Sequence, residues 1–268
     1  MDIKNSYEDG SVSDLFSKLR RHLAWDNPRD DYSAVEECLG ILKLYYDGIY
    51  EKEQNSLSYF SETRHKNEKQ TLEELLSGCK SIVGRVHSGS ELLPSDLRQV
   101  LSLEDKVTKY ASDGQCGSRH LNKGYPIQEL VSQLERIRDK KGDFDSVFYV
   151  ASGGAEPALL YCARNGGIPT PIRFSNCRLS DGNVAIPKSI STGYLKEKIR
   201  GKRVLLVEDV MISGLSIGKV IEYISKYKPK ELYGCVVCGD WRNLSFKDNL
   251  DDLYKSYDGV YIFRVKHA

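Results

Sequence analysis

Residues Arg203 to Gly218 read RVLLVEDVMISGLSIG and bring together side chains that can do chemistry as a group. An apolar run ends on two adjacent acids, Glu208 and Asp209. Apolar residues follow, then Ser213-Gly214-Leu215-Ser216, then the pattern of a helix. The apolar run predicts a buried strand, and strands of an α/β sheet present their last residues at the edge where ligands lie. Two neighbouring carboxylates suit two neighbouring hydroxyls of a ribose, through charge-assisted hydrogen bonds. A Ser-Gly turn opening a helix aims backbone N–H groups outward, and the helix dipole adds to them, making a site for a phosphate dianion. Gly214 lets the backbone approach that phosphate closely. A strand ending on solvated acids and a Ser-capped helix are each common alone; their order and spacing here make the combination specific.

A second anion site is predicted upstream. Val150 to Ala158 read VASGGAEPA, an apolar strand followed by a Gly-containing turn and a helix. Backbone N–H groups at Ser152, Gly153 and Gly154 can receive an anion, although Gly-Gly after a strand often marks only a tight turn. Between the two motifs, Ser175 to Gly201 is too long for an ordinary connection. Arg173, Arg178 and Lys188 stand in or beside it, as candidate ligand contacts or as ordinary basic residues of a solvated loop.

The segment around Glu208 and Asp209 closely resembles the ribose-phosphate signature of type I phosphoribosyltransferases, and the turn after the upstream strand resembles that family's pyrophosphate loop. The resemblance covers about residues 125–268. It implies that Glu208 and Asp209 contact the ribose hydroxyls, with Asp209 the first choice of catalytic residue. It assigns the 5′-phosphate to Ser213, Gly214, Leu215 and Ser216, and the pyrophosphate to Ser152, Gly153 and Gly154. Arg178 and Lys188 would sit on a lid that closes over the substrate. The departures are Ser213 where Thr is commoner, Leu215 where a small residue is frequent, and Ser152 where the family often has a basic residue.

The implied function is that of a glycosyltransferase, more narrowly a pentosyltransferase of nucleotide metabolism. It would bind phosphoribosyl pyrophosphate with Mg2+ and transfer ribose 5-phosphate to a nucleobase or similar nitrogen acceptor. The metal would be held through pyrophosphate and ribose oxygens, with Glu208 and Asp209 as further candidates. Trp241, after the strand-like YGCVV, either stacks on the base or caps the core. Two other readings stay open. One is a non-catalytic sensor of phosphoribosyl pyrophosphate or nucleotides. The other is an effector working with a partner, by analogy with family members in bacterial conflict and antiviral defence systems.

The elements that must position these residues are strands alternating with helices from Pro126 onward: strands near 146–151, 170–174, 203–208 and 232–237, and a last one in DGVYIFRV. This pattern predicts an α/β fold, a parallel sheet flanked by helices. Residues 121–268 would form that domain, and 1–120 a mainly α-helical module preceding it. Leu15, Leu19, His22 and Leu23 share one face of a helix over 14–24. Ser33 and Glu36 suggest a capping box ahead of a helix carrying Leu39, Leu42, Tyr45, Tyr46 and Ile49. Residues 56–84 predict one or two more helices, and Pro94 starts another through Val107. The stretch 56–70 offers little to bury. The module serves as a hood over the site or as a surface for a second copy or another protein.

The formal net charge of +1 gives no global case for nucleic acid or an acidic membrane. No apolar run reaches the roughly 20 residues of a membrane span, and the first residues lack a signal-peptide core, so a cytoplasmic protein is expected. Seven cysteines, an odd and scattered set, argue against a disulfide framework. Cys235 and Cys238 lie in a strand-like stretch whose alternation sends them to opposite faces, so buried thiols are expected there rather than a metal pair.

Overall fold

The computed structural model describes residues 11–24, 31–55, 62–112, 127–151, 153–174, 184–185, 193–210, 215–238 and 260–264. The chain divides into two compact units, Met1–Lys123 and Gly124–Ala268.

The described part of the first unit is helical: α1 (Val12–Ala24), α2 (Asp31–Asn55), α3 (Glu62–His87), α4 (Pro94–Leu101) and α5 (Glu104–Thr108). Leu39, Leu42, Tyr45, Tyr46 and Ile49 are all buried, as are Cys38, Ile41 and Leu44, so α2 is enclosed nearly all round. A helix apolar on every side belongs inside a bundle, and α1, α3 and α5 pack on it. Gly48 makes one of these contacts possible: a Cβ there would overlap the backbone of Tyr110 to Ser112. The crossing is locked by the Ser112 N–H, which donates to the Leu44 carbonyl oxygen at 2.9 Å.

Several expectations for this unit are corrected. α1 buries Val12, Leu15, Phe16 and Leu19, while Leu23 is 37% exposed, so its apolar face is rotated toward Phe16. Ser33 lies inside α2 rather than ahead of it, and its hydroxyl meets His22 Nε2 at 3.2 Å. Residues 62–84, by contrast, are helical as expected and fall in one continuous helix. The polar stretch does bury something: Glu68 is 0% exposed and accepts from Arg64 Nε at 3.1 Å. The helix from Pro94 breaks after Leu101, where the Ser102 hydroxyl donates to the Gln99 carbonyl at 2.8 Å and competes with helix continuation.

The second unit holds a six-stranded sheet with strand order β3-β2-β1-β4-β5-β6. The strands are β1 (Ser146–Ala151), β2 (Thr170–Phe174), β3 (Val184–Ala185), β4 (Arg203–Val210), β5 (Glu231–Cys238) and β6 (Val260–Arg264). All neighbours run parallel except the short edge strand β3, which pairs antiparallel with β2. The helices are α6 (Ile127–Lys141), α7 (Ala155–Asn165), α8 (Gly193–Ile199) and α9 (Leu215–Ser225).

Strand alternation sorts the two faces. Phe148, Val150, Ile172, Val204, Leu206 and Leu232 form one core with Leu195 and Ile199 of α8 and four residues of α9. Tyr233, on the other face, meets Phe144 at 5.2 Å between ring centroids, and Phe144 meets Tyr161 of α7 at 6.1 Å. Both faces are covered, which is why the strands read as unbroken apolar runs.

α8 corrects the reading of Ser175 to Gly201 as one irregular segment. Leu195 and Ile199 are fully buried, each worth about 1.5–3 kcal/mol. The Lys198 carbonyl accepts from the Ser146 hydroxyl at 2.6 Å. Residues 193–199 are therefore core, and of 175–192 only the short strand Val184–Ala185 is described. Cys38, Cys79, Cys162 and Cys235 are buried thiols. Among the described residues no helix is long and apolar enough to cross a membrane.

Candidate functional site

The strand order decides where a ligand can lie. From β1 the chain passes through α7 to β2 on one side, and from β4 through α9 to β5 on the other. The connections diverge between the adjacent strands β1 and β4, and a crevice forms beyond their carboxyl ends. The ends of β1 and β4 lie side by side there, although they are far apart in sequence.

On the β1 side, Gly153 and Gly154 lead into α7. Gly154 caps the helix with φ −70°, and its N–H donates to the Val150 carbonyl at 3.0 Å. A Cβ on Gly154 would overlap the carbonyl oxygen of Val207 in β4. The amino end of α7 is thus pressed onto the strand that carries the acids. Glu156, in the first turn, is only 3% exposed; a carboxylate is favoured there by the helix dipole. Sequence reasoning assigned it no role, although an acid in the first turn after a Gly-Gly is a readable signal. Ser152 lies outside the described residues.

On the β4 side, Glu208 is paired in register with Val236 and is 6% exposed, with its Oε2 atom buried. Alternation with Val204 and Leu206 places it on the α8/α9 face. Asp209 follows it within β4. Leu215 and Ser216 open α9, whose amino end therefore starts a few residues beyond the acids. The side chains of Asp209, Leu215 and Ser216 lie outside the described set, as do Ser213, Gly214, Arg178, Lys188 and Trp241.

Arg173, named from the sequence as a candidate ligand contact, lies in β2. It is 7% exposed near the carboxyl end of β2, in register with Ala151 of β1, the residue that precedes Ser152.

The displaced pKa values lie elsewhere. Burial pushes the Tyr161 phenol up to about 12. Arg203 and Glu231, the first residues of β4 and β5, form an ion pair at 2.7 Å on the opposite edge of the sheet. That edge is scaffold. Among the described residues no group of three or more His, Cys, Asp or Glu gathers to hold a metal. Glu208 offers hard oxygen donors near the end of β4. That suits Mg2+, which takes one or two carboxylates and completes its shell with water and substrate phosphates.

A parallel α/β sheet whose strand order reverses between β1 and β4, with a Gly-containing turn after β1 and acids at the end of β4, defines the doubly wound class of α/β fold. Residues 127–265, just over half of the chain, match the phosphoribosyl transferase domain, and the chain belongs to that family. Among curated proteins none matches. The fold is similar to that of a purine phosphoribosyltransferase from Pyrococcus horikoshii Ot3, at 25% identity over 52% of this chain and 82% of that one, with a TM-score of 0.36. It is similar to a hypoxanthine-guanine phosphoribosyltransferase from Bacillus anthracis, at 22% identity over 52% and 74%, TM-score 0.33. A hypothetical protein from Neisseria gonorrhoeae with bound ppGpp is similar at 18% identity over 49% and 93%, TM-score 0.31.

Proposed function

We propose that the chain binds phosphoribosyl pyrophosphate in the crevice between β1 and β4 and transfers ribose 5-phosphate to a nucleobase or similar nitrogen acceptor. The observation that supports this reading is the convergence, at one sheet edge, of the Gly153-Gly154 turn with Glu208 and Asp209. In this reading the amino end of α9, with Ser213 to Ser216, takes the 5′-phosphate. Glu208 and Asp209 take the ribose hydroxyls, and the turn at Ser152 to Gly154 takes the pyrophosphate. The acceptor nitrogen attacks the anomeric carbon as its bond to pyrophosphate breaks, and the bonding electrons leave with pyrophosphate. Positive charge develops on the sugar ring, where a nearby carboxylate stabilises it. Mg2+, when bound, neutralises charge on the phosphate oxygens. Arg178 and Lys188 close over the substrate and exclude water, and Trp241 stacks on the acceptor. A cytoplasmic location goes with such chemistry.

The test is pyrophosphate release with Mg2+ and phosphoribosyl pyrophosphate against a panel of purine and pyrimidine bases. Release that depends on a subset of the panel is expected. Tight binding of phosphoribosyl pyrophosphate with no release from any base favours a second reading, a sensor or a partner-dependent effector. One sequence feature supports that second reading: Ser152 brings no cation where the family often has one.

The helical unit, on the same proposal, is a hood or a partner-binding module. Light scattering on the full chain is expected to give a mass above that of one copy, falling to a single copy when residues 1–123 are removed. A full-length monomer beside an insoluble truncated chain identifies a built-in hood instead.

A further inference from the structure

We propose that the scaffold edge of the sheet, at the amino ends of β4 and β5, is also a docking surface for the phosphate backbone of a nucleic acid. The inference is independent of the reading of the crevice, because Glu208 lies about 16 Å along β4 from Arg203.

Two turns build the surface. One leads from α8 into β4, the other from α9 into β5. Backbone hydrogen bonds fasten them together: the Gly201 N–H donates to the Lys228 carbonyl at 3.0 Å, and the Lys230 N–H to the Lys202 carbonyl at 2.8 Å. Lys196, Arg200 and Lys202 on the first segment and Lys226, Lys228 and Lys230 on the second are all exposed. The Arg200 N–H donates to the Lys196 carbonyl at 3.0 Å, so those two side chains leave one face of the same helical turn. Cations from two segments distant in sequence thus share one rigid edge.

The neighbouring acids do not balance them. Glu197 is the one acid between Gly193 and Lys202, and none lies between Tyr223 and Lys230. Glu231 is held by Arg203 at 2.7 Å, and Glu222 by Lys219 at 3.3 Å. The whole chain carries only +1, so the edge is a segregation of charge rather than general basicity.

The competing account is that these residues serve the helix ends. A helix dipole favours cations in the last turn, which covers Lys196 and Lys226. The effect fades past the helix end, and Lys202, Lys228 and Lys230 lie beyond α8 and α9. Lys228 also holds a φ of 55°, in the left-handed region that Gly and Asn favour. The turn by itself gives no reason for a lysine there.

The chemistry of the edge selects the partner. Among the described residues the exposed large apolar side chains are Leu23, Leu93 and Ile168, and none belongs to these turns. An element that binds a membrane surface carries an apolar face to insert, and protein–protein interfaces are poor in lysine. A string of phosphates needs neither apolar surface nor a fixed fork, only closely spaced cations. Such contacts carry no sequence information, so binding does not depend on base sequence.

Fluorescence anisotropy on the full chain tests this, with labelled single-stranded RNA, single-stranded DNA and duplex DNA of mixed sequence as probes. Binding is expected, with log affinity falling against log salt by about 0.7–0.9 for each phosphate contacted. The triple variant Lys226→Gln, Lys228→Gln, Lys230→Gln is expected to bind about 10-fold or more weakly at physiological salt and to flatten the salt slope by about 2–3. The triple variant Lys196→Gln, Arg200→Gln, Lys202→Gln behaves the same way. As a control, Arg21→Gln, Lys66→Gln and Arg98→Gln remove as many charges from exposed positions of the helical unit and keep the wild-type slope. All the substitutions are on exposed side chains, and circular dichroism checks that each variant folds. The preferred probe identifies RNA or DNA as the source of the phosphates. No binding of any probe at low salt, an affinity that ignores salt, or an equal loss in the control overturns the proposal. So does tighter binding to phosphatidylserine vesicles or to polyglutamate, which makes the edge a membrane or protein contact instead.

Discussion

Gly154 stands against Val207: a Cβ at position 154 would overlap the Val207 carbonyl oxygen and come within 3.0 Å of its carbonyl carbon and 3.2 Å of Glu208 Cα. One residue therefore joins the two halves of the crevice. The turn after β1 is seated directly on the strand that delivers the acids, and neither can shift without the other.

Gly154→Ala is expected to destabilise the protein by about 1–3 kcal/mol, the usual cost of forcing a methyl group into packed backbone. The variant also weakens phosphoribosyl pyrophosphate binding, because relief requires α7 to move off β4. Gly193→Ala is the control. A Cβ there meets nothing within 4 Å at the start of α8, and the change stabilises by about 0.4–1 kcal/mol. Urea denaturation of both variants, with binding followed by calorimetry, decides it. Equal stabilities would show that the contact has no energetic weight.

Asp209→Asn and Glu208→Gln are expected to weaken phosphoribosyl pyrophosphate binding by about 1.5–3 kcal/mol each, as for a lost charged hydrogen-bond partner. Both substitutions nearly preserve volume, so the fold is retained. Wild-type affinity in both would remove the ribose assignment.

Trypsin cleavage after Arg178 and Lys188 is expected to slow when Mg2+ and phosphoribosyl pyrophosphate are added. Cleavage at Lys196 and Lys198 stays slow in both conditions, because Leu195 and Ile199 fix α8 in the core and a protease needs extended backbone. Mass spectrometry of early fragments reads the sites. Unchanged rates at Arg178 and Lys188 would end the lid assignment.

The scaffold edge carries a pH signature. Burial alone would raise the pKa of Glu231, but hydrogen bonds from Arg203 at 2.7 Å and Tyr233 at 3.2 Å outweigh it and hold it below the ordinary 4.5. With the folded value depressed, the unfolded chain takes up the proton first as pH falls. The contribution is complete above the ordinary carboxylate pKa and is lost as pH drops through the folded value. Glu231→Gln is expected to lower Tm at neutral pH and to narrow the Tm loss between about pH 7 and pH 3.5 relative to wild type. An identical loss in both proteins would show that Glu231 is not coupled to folding.

The alternation of strands and helices after Pro126, the acids at the end of an apolar strand and the Gly153-Gly154 turn were legible in the sequence, because each is a local pattern. A buried parallel strand writes itself as an unbroken apolar run, as in Val204 to Val207, and a turn writes itself as a break after such a run. The helical face of α2 was legible for the same reason.

The tertiary structure alone decided the pairings. Nothing near Arg173 in the chain says that it lies beside Ala151, since a parallel register is set across a crossover helix. Glu68 reads as one more polar residue until α2 covers it, and Leu195 and Ile199 read as part of a loop until the sheet supplies their core. Phe16 replaced Leu23 on the buried face of α1 because the neighbouring helices determine which side of a helix is covered. Local patterns record that a residue has an apolar or polar face. Which residue meets it depends on contacts between distant segments, and those exist only once the chain has closed on itself.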